Sequence, residues 1–241
     1  MLRFHVNVDH VATVREARRI SQPNPIRWAL LAEAAGADGI TCHLRQDRRH
    51  IQDADVAALR RSISTLLNLE SSLAPEMVEI GLASGADEVC LVPEGREEVT
   101  TEGGLDVVRE AKRLAVVMPR YREKGISVSL FVDPEERALE AAAQLEADFV
   151  ELHTGRYANA EGDERKRELD RLVRGAERAH ELGLRVNAGH GLDYDNVGPI
   201  CALPHLEELN IGHSIVARAL FVGVDAAVRE MREIIARNAT P

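Results

Sequence analysis

The sequence predicts an α/β chain closed into a single (β/α)8 TIM barrel over residues 1–241, with an extra short helix after the eighth strand. Three observations predict it. Short β-branched or alternating runs and longer helical runs take turns eight times, and no Pro/Gly/Ser-rich linker interrupts them. Such alternation implies a parallel sheet, and eight units close it. The helix-to-strand joints also resemble one another, as in AAGADGI at 34–40, ASGADEV at 83–89 and, more loosely, LEADFV at 145–150. A glycine ending a helix before a short hop into a parallel strand explains them without a true repeat. Finally, 241 residues suit one barrel with one core.

Taken in order, the strands are expected near 3–9, 38–44, 66–70, 87–92, 126–132, 148–153, 184–188 and 207–211. The stretches between them read as helices over Pro25–Ala35, Asp53–Ser64, Pro75–Ser84, Leu105–Lys124, Pro134–Leu145, Arg165–Leu182, Asp195–Leu203 and Asp225–Arg237, with Ser214–Leu220 as the extra helix. In the first strand Val6 and Val8 share one face while His5, Asn7 and Asp9 share the other, and His10 follows at the end. The second sets Ile40, Cys42 and Leu44 against Thr41, His43 and Arg45. Its basic loop then carries Arg48, Arg49 and His50 beside Asp47. The third sets Leu67 and Leu69 against Asn68 and Glu70, and the sixth sets Val150 and Leu152 against Glu151 and His153. If the aliphatic sets face the helices, the polar sets face the barrel axis. Barrel interiors are usually aliphatic, so polar groups gathered toward the C-terminal strand ends point to an enzyme site there.

Three connections stay open between a surface and a functional reading. Arg15, Arg18 and Arg19 read as a basic loop after the first strand. Residues 94–104 form a long charged loop after the fourth strand, either surface or a lid contributing Thr100 or Thr101. Residues 157–164 form another loop that could close over a site. The seventh strand ends NAGHGL at 187–192 and the eighth NIGHSI at 210–215, each expected to place Gly-His where strand gives way to helix. Glycine lets backbone N–H groups approach a ligand, and a helix N-terminus favours an anion. In barrels the loops after strands seven and eight often hold phosphate. Gly212 is open to two explanations, contact with a phosphate or a turn that needs positive φ.

A formal net charge of −10 argues against nucleic acid or an anionic membrane as a partner, so any anion site must be local. MLRFHVNVDH shows no apolar leader pattern, and no apolar run approaches the roughly 18 residues of a membrane helix, so a cytoplasmic protein is expected. Cys42, Cys90 and Cys201 form no CxxC pair and read as small buried apolar residues.

The motifs NVDHVATVREAR at 7–18, TCHLRQDRRHI at 41–51, NLE at 68–70, VPE at 92–94, VELHTGRYA at 150–158, NAGHGL and NIGHSI together resemble the pyridoxine 5'-phosphate synthase family over essentially the whole chain. The resemblance implies a (β/α)8 barrel assembled as a homo-octamer, without metal or organic cofactor. It implies condensation of 1-deoxy-D-xylulose 5-phosphate with 3-amino-2-oxopropyl phosphate, releasing phosphate and water as a pyridine ring closes. By the same resemblance His43 and Glu70 are proton acceptors, His190 is a proton donor, and Glu151 stabilises a cationic intermediate. Asp9, His10, Arg45, His50 and Thr100 would hold the deoxyxylulose phosphate, and Asn7, Arg18, Gly191, Gly212 and His213 the amino-ketone phosphate.

Two rival enzyme classes fit less well. A Schiff-base aldolase needs a strand-end lysine, whereas Lys112, Lys124 and Lys166 all fall in predicted helices. A metal-dependent hydrolase could draw ligands from Asp9, His10, His43, Glu70 and His190, but no HxH or HExxH pair appears. A non-catalytic phosphometabolite-binding barrel would have no use for His43 and Glu70.

Overall fold

The computed structural model describes residues 2–95 and 103–239. The expected lid residues Thr100 and Thr101 lie outside the described residues. Strands β1 (Arg3–Asn7), β2 (Gly39–His43), β3 (Leu66–Ser71), β4 (Glu88–Leu91), β5 (Ser127–Val132), β6 (Phe149–His153), β7 (Arg185–Gly189) and β8 (Leu206–Ile211) pair in sequence order into a closed barrel. Every pair is parallel, and β8 returns to β1 with Phe4 opposite Leu209.

Helices follow as α1 (Asp9–Glu16), α2 (Pro25–Ala34), α3 (Asp53–Ser62), α4 (Pro75–Ala83), α5 (Val107–Glu123), α6 (Glu136–Gln144), α7 (Gly155–Asn159), α8 (Gly162–Glu181), α9 (Val197–Ile200), α10 (His213–Val222) and α11 (Val224–Asn238). Local chemistry sets several starts. Pro25 and Pro75 open α2 and α4, where a missing N–H costs nothing, and the Asn24 carboxamide accepts from the N–H groups of Ile26 and Arg27. Asp55 reaches back to the Gln52 N–H at 2.8 Å, closing one half of a capping box on α3.

The aliphatic set of each strand faces the helix layer, as the alternation predicts. Val6, Val8, Ile40, Cys42, Leu44, Leu67, Leu69, Val150 and Leu152 are all fully or almost fully buried in one core between barrel and helices. Each such side chain removed from water stabilises the fold by roughly 1.5–3 kcal/mol before entropy is counted. The opposite set fills the axis with polar groups: His5, Thr41, Asn68, Glu88, Glu151, Asn187, Glu208 and Asn210 are buried.

Four local expectations are corrected. The basic run after the first strand begins in a helix: Arg15 lies in α1, while Arg18 and Arg19 follow in an exposed turn. The chain turns at Asn7 and enters α1, which buries Val11, Ala12 and Arg15. Arg15 is no solvated charge, since its two terminal nitrogens grip the Asp55 carboxylate at 2.7 Å each. The expected loop at 157–164 is taken up by α7 and α8, because Tyr157 is buried with its hydroxyl donating to the Asn196 carbonyl at 2.7 Å. The helix expected over Asp195–Leu203 shrinks to α9. Of the two Gly-His pairs, only Gly212-His213 opens a helix; after His190 the chain turns at φ 85° and runs on through Gly191 at φ 75°.

Candidate active site

At the C-terminal mouth of the barrel lies a cavity of about 710 Å³. Among the predicted site residues, Asn7, Asp9, His10, His43, Arg45 and His50 line it together with Glu70, Glu151, His190, Gly191, Gly212 and His213. Arg18 is not brought to it. It sits exposed beyond the end of α1. His153, also expected inward, pairs with Asp133 at 3.2 Å and packs beside His190, with ring centroids 5.2 Å apart.

The centre of the cavity is a cluster of titratable groups drawn from β2, β3 and the start of α1. Register places His43 opposite Glu70, and His43 Nδ1 lies 3.7 Å from Glu70 Oε2. Asp9 joins them because the turn out of β1 is clasped: its backbone N–H donates to Asn7 Oδ1 at 2.8 Å, and Asn7 Nδ2 donates to Asp9 Oδ2 at 2.8 Å. The free oxygen of Asp9 accepts the backbone N–H of His43 at 2.8 Å. Burial lifts the Glu70 carboxyl to about 7, with Asp9 pushing the same way and His43 only partly opposing. Burial pulls the His43 imidazole down, but a hydrogen bond to Glu94 and the charges of Glu70 and Asp9 outweigh it, so its pKa ends above the ordinary histidine value. Glu70 therefore titrates close to neutrality, the range in which general acids and bases work best, beside an imidazole held above its ordinary value.

Beneath them, Glu151 is almost wholly enclosed. Asn210 Nδ2 donates to its Oε2 at 2.9 Å, and Thr41 Oγ1 donates to Asn210 Oδ1 at 2.7 Å. Residue 189 is glycine where a Cβ would stand 2.3 Å from Glu151 Oε1, so a side chain there would evict the carboxylate. Burial holds the Glu151 carboxyl well above the usual range, and the charges of Glu70, Glu208 and Glu88 reinforce it. On the far wall burial lowers His190 to about 4, helped by His153 and His10.

Two ends of the cavity suit anions. At one, α10 begins at Gly212 with no side-chain cap, so its first N–H groups are presented beside His10 and His213, whose ring centroids lie 5.1 Å apart. At the other, Arg45, Arg49 and His50 line the wall. Arg45 is oriented by Asp47 at 3.4 Å and by the Gly95 carbonyl at 3.0 Å.

Asp9, His43 and Glu70 each offer one donor atom within 4.8 Å of the others. These groups are engaged with Asn7, with Glu94 and with each other. The sequence reading missed Glu94 and Asn210 as site residues. Asn210 was legible, since strand parity puts it inward two residues beyond Glu208. Glu94 lies past the end of β4, where parity stops, and only its contact with His43 at 3.2 Å marks it.

Solved structures show the same fold at low identity. A 3-hexulose-6-phosphate synthase superposes with a TM-score of 0.64 at 15% identity over 97% of this chain and 99% of its own. Phosphoribosyl anthranilate isomerase from Thermus thermophilus gives 0.61 at 16% identity over 98% and 99%. Sequence relatives are far nearer. The chain is 57% identical over 234 residues to the pyridoxine 5'-phosphate synthase of Synechococcus sp. (strain JA-2-3B'a(2-13)), covering 97% of this chain and 98% of that one. It is 57% identical over 232 residues to the pyridoxine 5'-phosphate synthase of Acaryochloris marina (strain MBIC 11017), covering 96% and 97%. Residues 4–237 match the family described as "Pyridoxal phosphate biosynthesis protein PdxJ". With a closed parallel barrel, a cluster of titratable groups at its mouth and this match across nearly all its length, the chain belongs to the PdxJ family of pyridoxal phosphate biosynthesis proteins.

Proposed function

We propose that this chain, acting as one barrel domain, is a pyridoxine 5'-phosphate synthase that condenses 1-deoxy-D-xylulose 5-phosphate with 3-amino-2-oxopropyl phosphate, releasing phosphate and water. The observation that carries the reading is the His43–Glu70 pair set between two anion-receptive ends of one cavity. Both substrates carry phosphate, and the cavity offers an uncapped helix start at one end and arginine at the other. The amine adds to a ketone and loses water, phosphate leaves from an enamine, and the second carbonyl closes the ring. These steps need several proton transfers, each worth on the order of 10²- to 10⁴-fold when well placed.

In this reading Glu70, with its carboxyl near 7, takes a substrate proton in concert with His43. His190 is neutral near pH 7 and donates as an imidazole; a bound phosphate dianion beside it would raise its pKa. Glu151 gives up its proton when positive charge develops against it, and then stabilises that charge. Asn7, Gly191, Gly212 and His213 would hold the amino-ketone phosphate, and Asp9, His10, Arg45 and His50 the deoxyxylulose phosphate; Thr100, expected with the second set, lies outside the described residues.

The reading extends to a cytoplasmic homo-octamer. Apolar side chains left at the surface support self-association: Leu220 and Phe221 at the end of α10 are 75% and 86% exposed, and Val14 and Ile20 near α1 are 49% and 55%. Arg18 lies in the same stretch as Val14 and Ile20, where a second copy would cover it. Among the described residues no helix is long and apolar enough to cross a membrane.

The test is to incubate metal-stripped protein with both substrates and follow pyridoxine 5'-phosphate and inorganic phosphate together. Stoichiometric appearance of both is expected. Failure to form either, with both substrates shown to bind, would overturn the reading.

A further inference from the structure

His43 is engaged on both sides of its ring. Nδ1 faces Glu70 Oε2 at 3.7 Å, and Nε2 lies 3.2 Å from Glu94 Oε1. Glu94 is in turn fixed from behind, because its other oxygen accepts the Gln46 backbone N–H at 3.1 Å and the Gln46 side-chain amide at 3.3 Å. Its side chain is 5% exposed, against 6% for His43, so water competes little for the contact. Glu94 does not line the cavity. It meets the imidazole away from where a substrate would sit, so its effect on chemistry would pass through His43.

An ionised carboxylate only accepts hydrogen bonds, whereas a neutral imidazole carries one N–H and one lone pair. A carboxylate at Nε2 therefore keeps hydrogen there and leaves Nδ1 as the nitrogen that gains or loses a proton. We propose that Glu94 is the positioning residue of the His43–Glu70 pair: it holds hydrogen on Nε2 and aims Nδ1 at Glu70, so that the pair exchanges one proton along a fixed line. The same division of labour, with one carboxylate orienting an imidazole whose other nitrogen does the chemistry, operates in hydrolase triads. The inference rests on the reading that His43 and Glu70 exchange protons with substrate.

The charges agree with the geometry. Burial would raise the Glu94 carboxyl, but the His43 hydrogen bond and the two Gln46 donors overcome it and hold it below the ordinary range, so Glu94 stays ionised. The other groups facing His43 are Asp9, which accepts its backbone N–H, Glu70, and His50 with ring centroids 6.0 Å apart. Among the described residues, Glu94 alone makes a hydrogen bond to a His43 ring nitrogen.

The test is Glu94→Gln, read by histidine ring NMR and by the pH profile of pyridoxine 5'-phosphate formation. The His43 signal is identified by its loss in His43→Gln. Removing the anion at Nε2 should lower the pH at which His43 becomes neutral. A neutral His43 no longer stabilises ionised Glu70, so the acidic limb of kcat/KM should move to higher pH. Turnover should fall by roughly 10- to 10²-fold with KM for both substrates little changed, and Glu94→Asp should recover part of it. Gln46→Ala keeps the Glu94–His43 contact and should leave the His43 titration in place. An unmoved His43 titration in Glu94→Gln, or an equal shift in Gln46→Ala, would overturn the proposal and leave Glu94 as a loop anchor. The NMR titration needs no substrate. Full activity in His43→Gln and Glu70→Gln would instead overturn the reaction reading, while the titration would still decide the role of Glu94. Should Glu94→Gln fail to fold, Glu94→Asp gives the same shift with smaller amplitude, and its absence counts equally against the proposal.

Discussion

Asn7 and Asp9 clasp each other through two hydrogen bonds of 2.8 Å, one from each residue, and the clasp delivers an Asp9 oxygen to the backbone N–H of His43 on the next strand. The end of one strand thereby sets the charge felt on two others. Asp9 pushes both His43 and Glu70 upward, so Asp9→Asn should lower both. The acidic limb of the kcat/KM profile should move to lower pH, opposite to the direction expected for Glu94→Gln. A full pH–rate series on the variant checks this, and an unmoved or rising limb would contradict it.

Glu70 must be ionised to accept a proton, and its carboxyl titrates at about 7. Activity of the native protein should therefore rise with pH through that range. Glu70→Gln preserves shape but removes the acceptor, so turnover should fall by about 10²-fold or more while substrate affinity changes little. The limb near pH 7 should vanish with it. Steady-state kinetics together with calorimetric titration of each substrate separate the two effects.

Gly212 resolves between its two explanations in an unexpected way. Its φ is −129°, so no left-handed conformation is required. A Cβ there would instead stand 2.9 Å from Asn7 Cβ and 3.1 Å from Asn7 Oδ1. Gly212→Ala should therefore displace Asn7 and loosen the Asp9 clasp as well as crowd the α10 N-terminus. The expected outcome is weaker binding of the amino-ketone phosphate and a shifted pH profile resembling that of Asp9→Asn. Calorimetry of each substrate and a pH–rate series measure both; binding loss with an unchanged profile would place the whole effect at the helix start.

Deep in the barrel Glu88 is buried, and that burial, with Glu208 close by, holds its carboxyl well above the usual range. A carboxyl whose folded pKa is raised is most favourable to the fold below its unfolded value of about 4.3, and that stability is lost as pH rises toward the folded value. Glu88→Gln removes the ionisation while keeping an amide of the same shape. Thermal melts should show the variant above the native protein at pH 8–9, by about 2–4 °C for each kcal/mol released, and the gap should close near pH 5. A gap that widens toward acid would refute the sign.

Metal removal gives a last check. His43 and Glu70 are read as proton carriers and Asp9 as a substrate contact, so prolonged chelation should leave turnover unchanged. Loss of activity restored by one specific divalent ion would return the metal-dependent hydrolase class to consideration.

Most of the barrel and much of its site were legible in the sequence because strand parity is a local property. Val6 and Val8 alternate with Asn7, and Leu67 and Leu69 with Asn68 and Glu70, whatever lies across the sheet. That alternation, the repeated helix-to-strand joints and the Gly-His strand ends determine the architecture and most of the polar cavity wall, but not Thr13, Phe131 or Asp193, which also line it. The tertiary structure alone decided contacts between residues distant in sequence. Arg15 reads as one of three surface arginines until α1 and α3 pack together and Asp55 takes its guanidinium. Gly212 reads as a turn residue until the β8–β1 closure brings Asn7 against it. Glu94 reads as the first charge of a loop until the folded barrel mouth sets it on His43 Nε2. A residue's own neighbours encode which way its side chain points; what it meets there depends on register, barrel closure and helix packing, which no short stretch of chain contains.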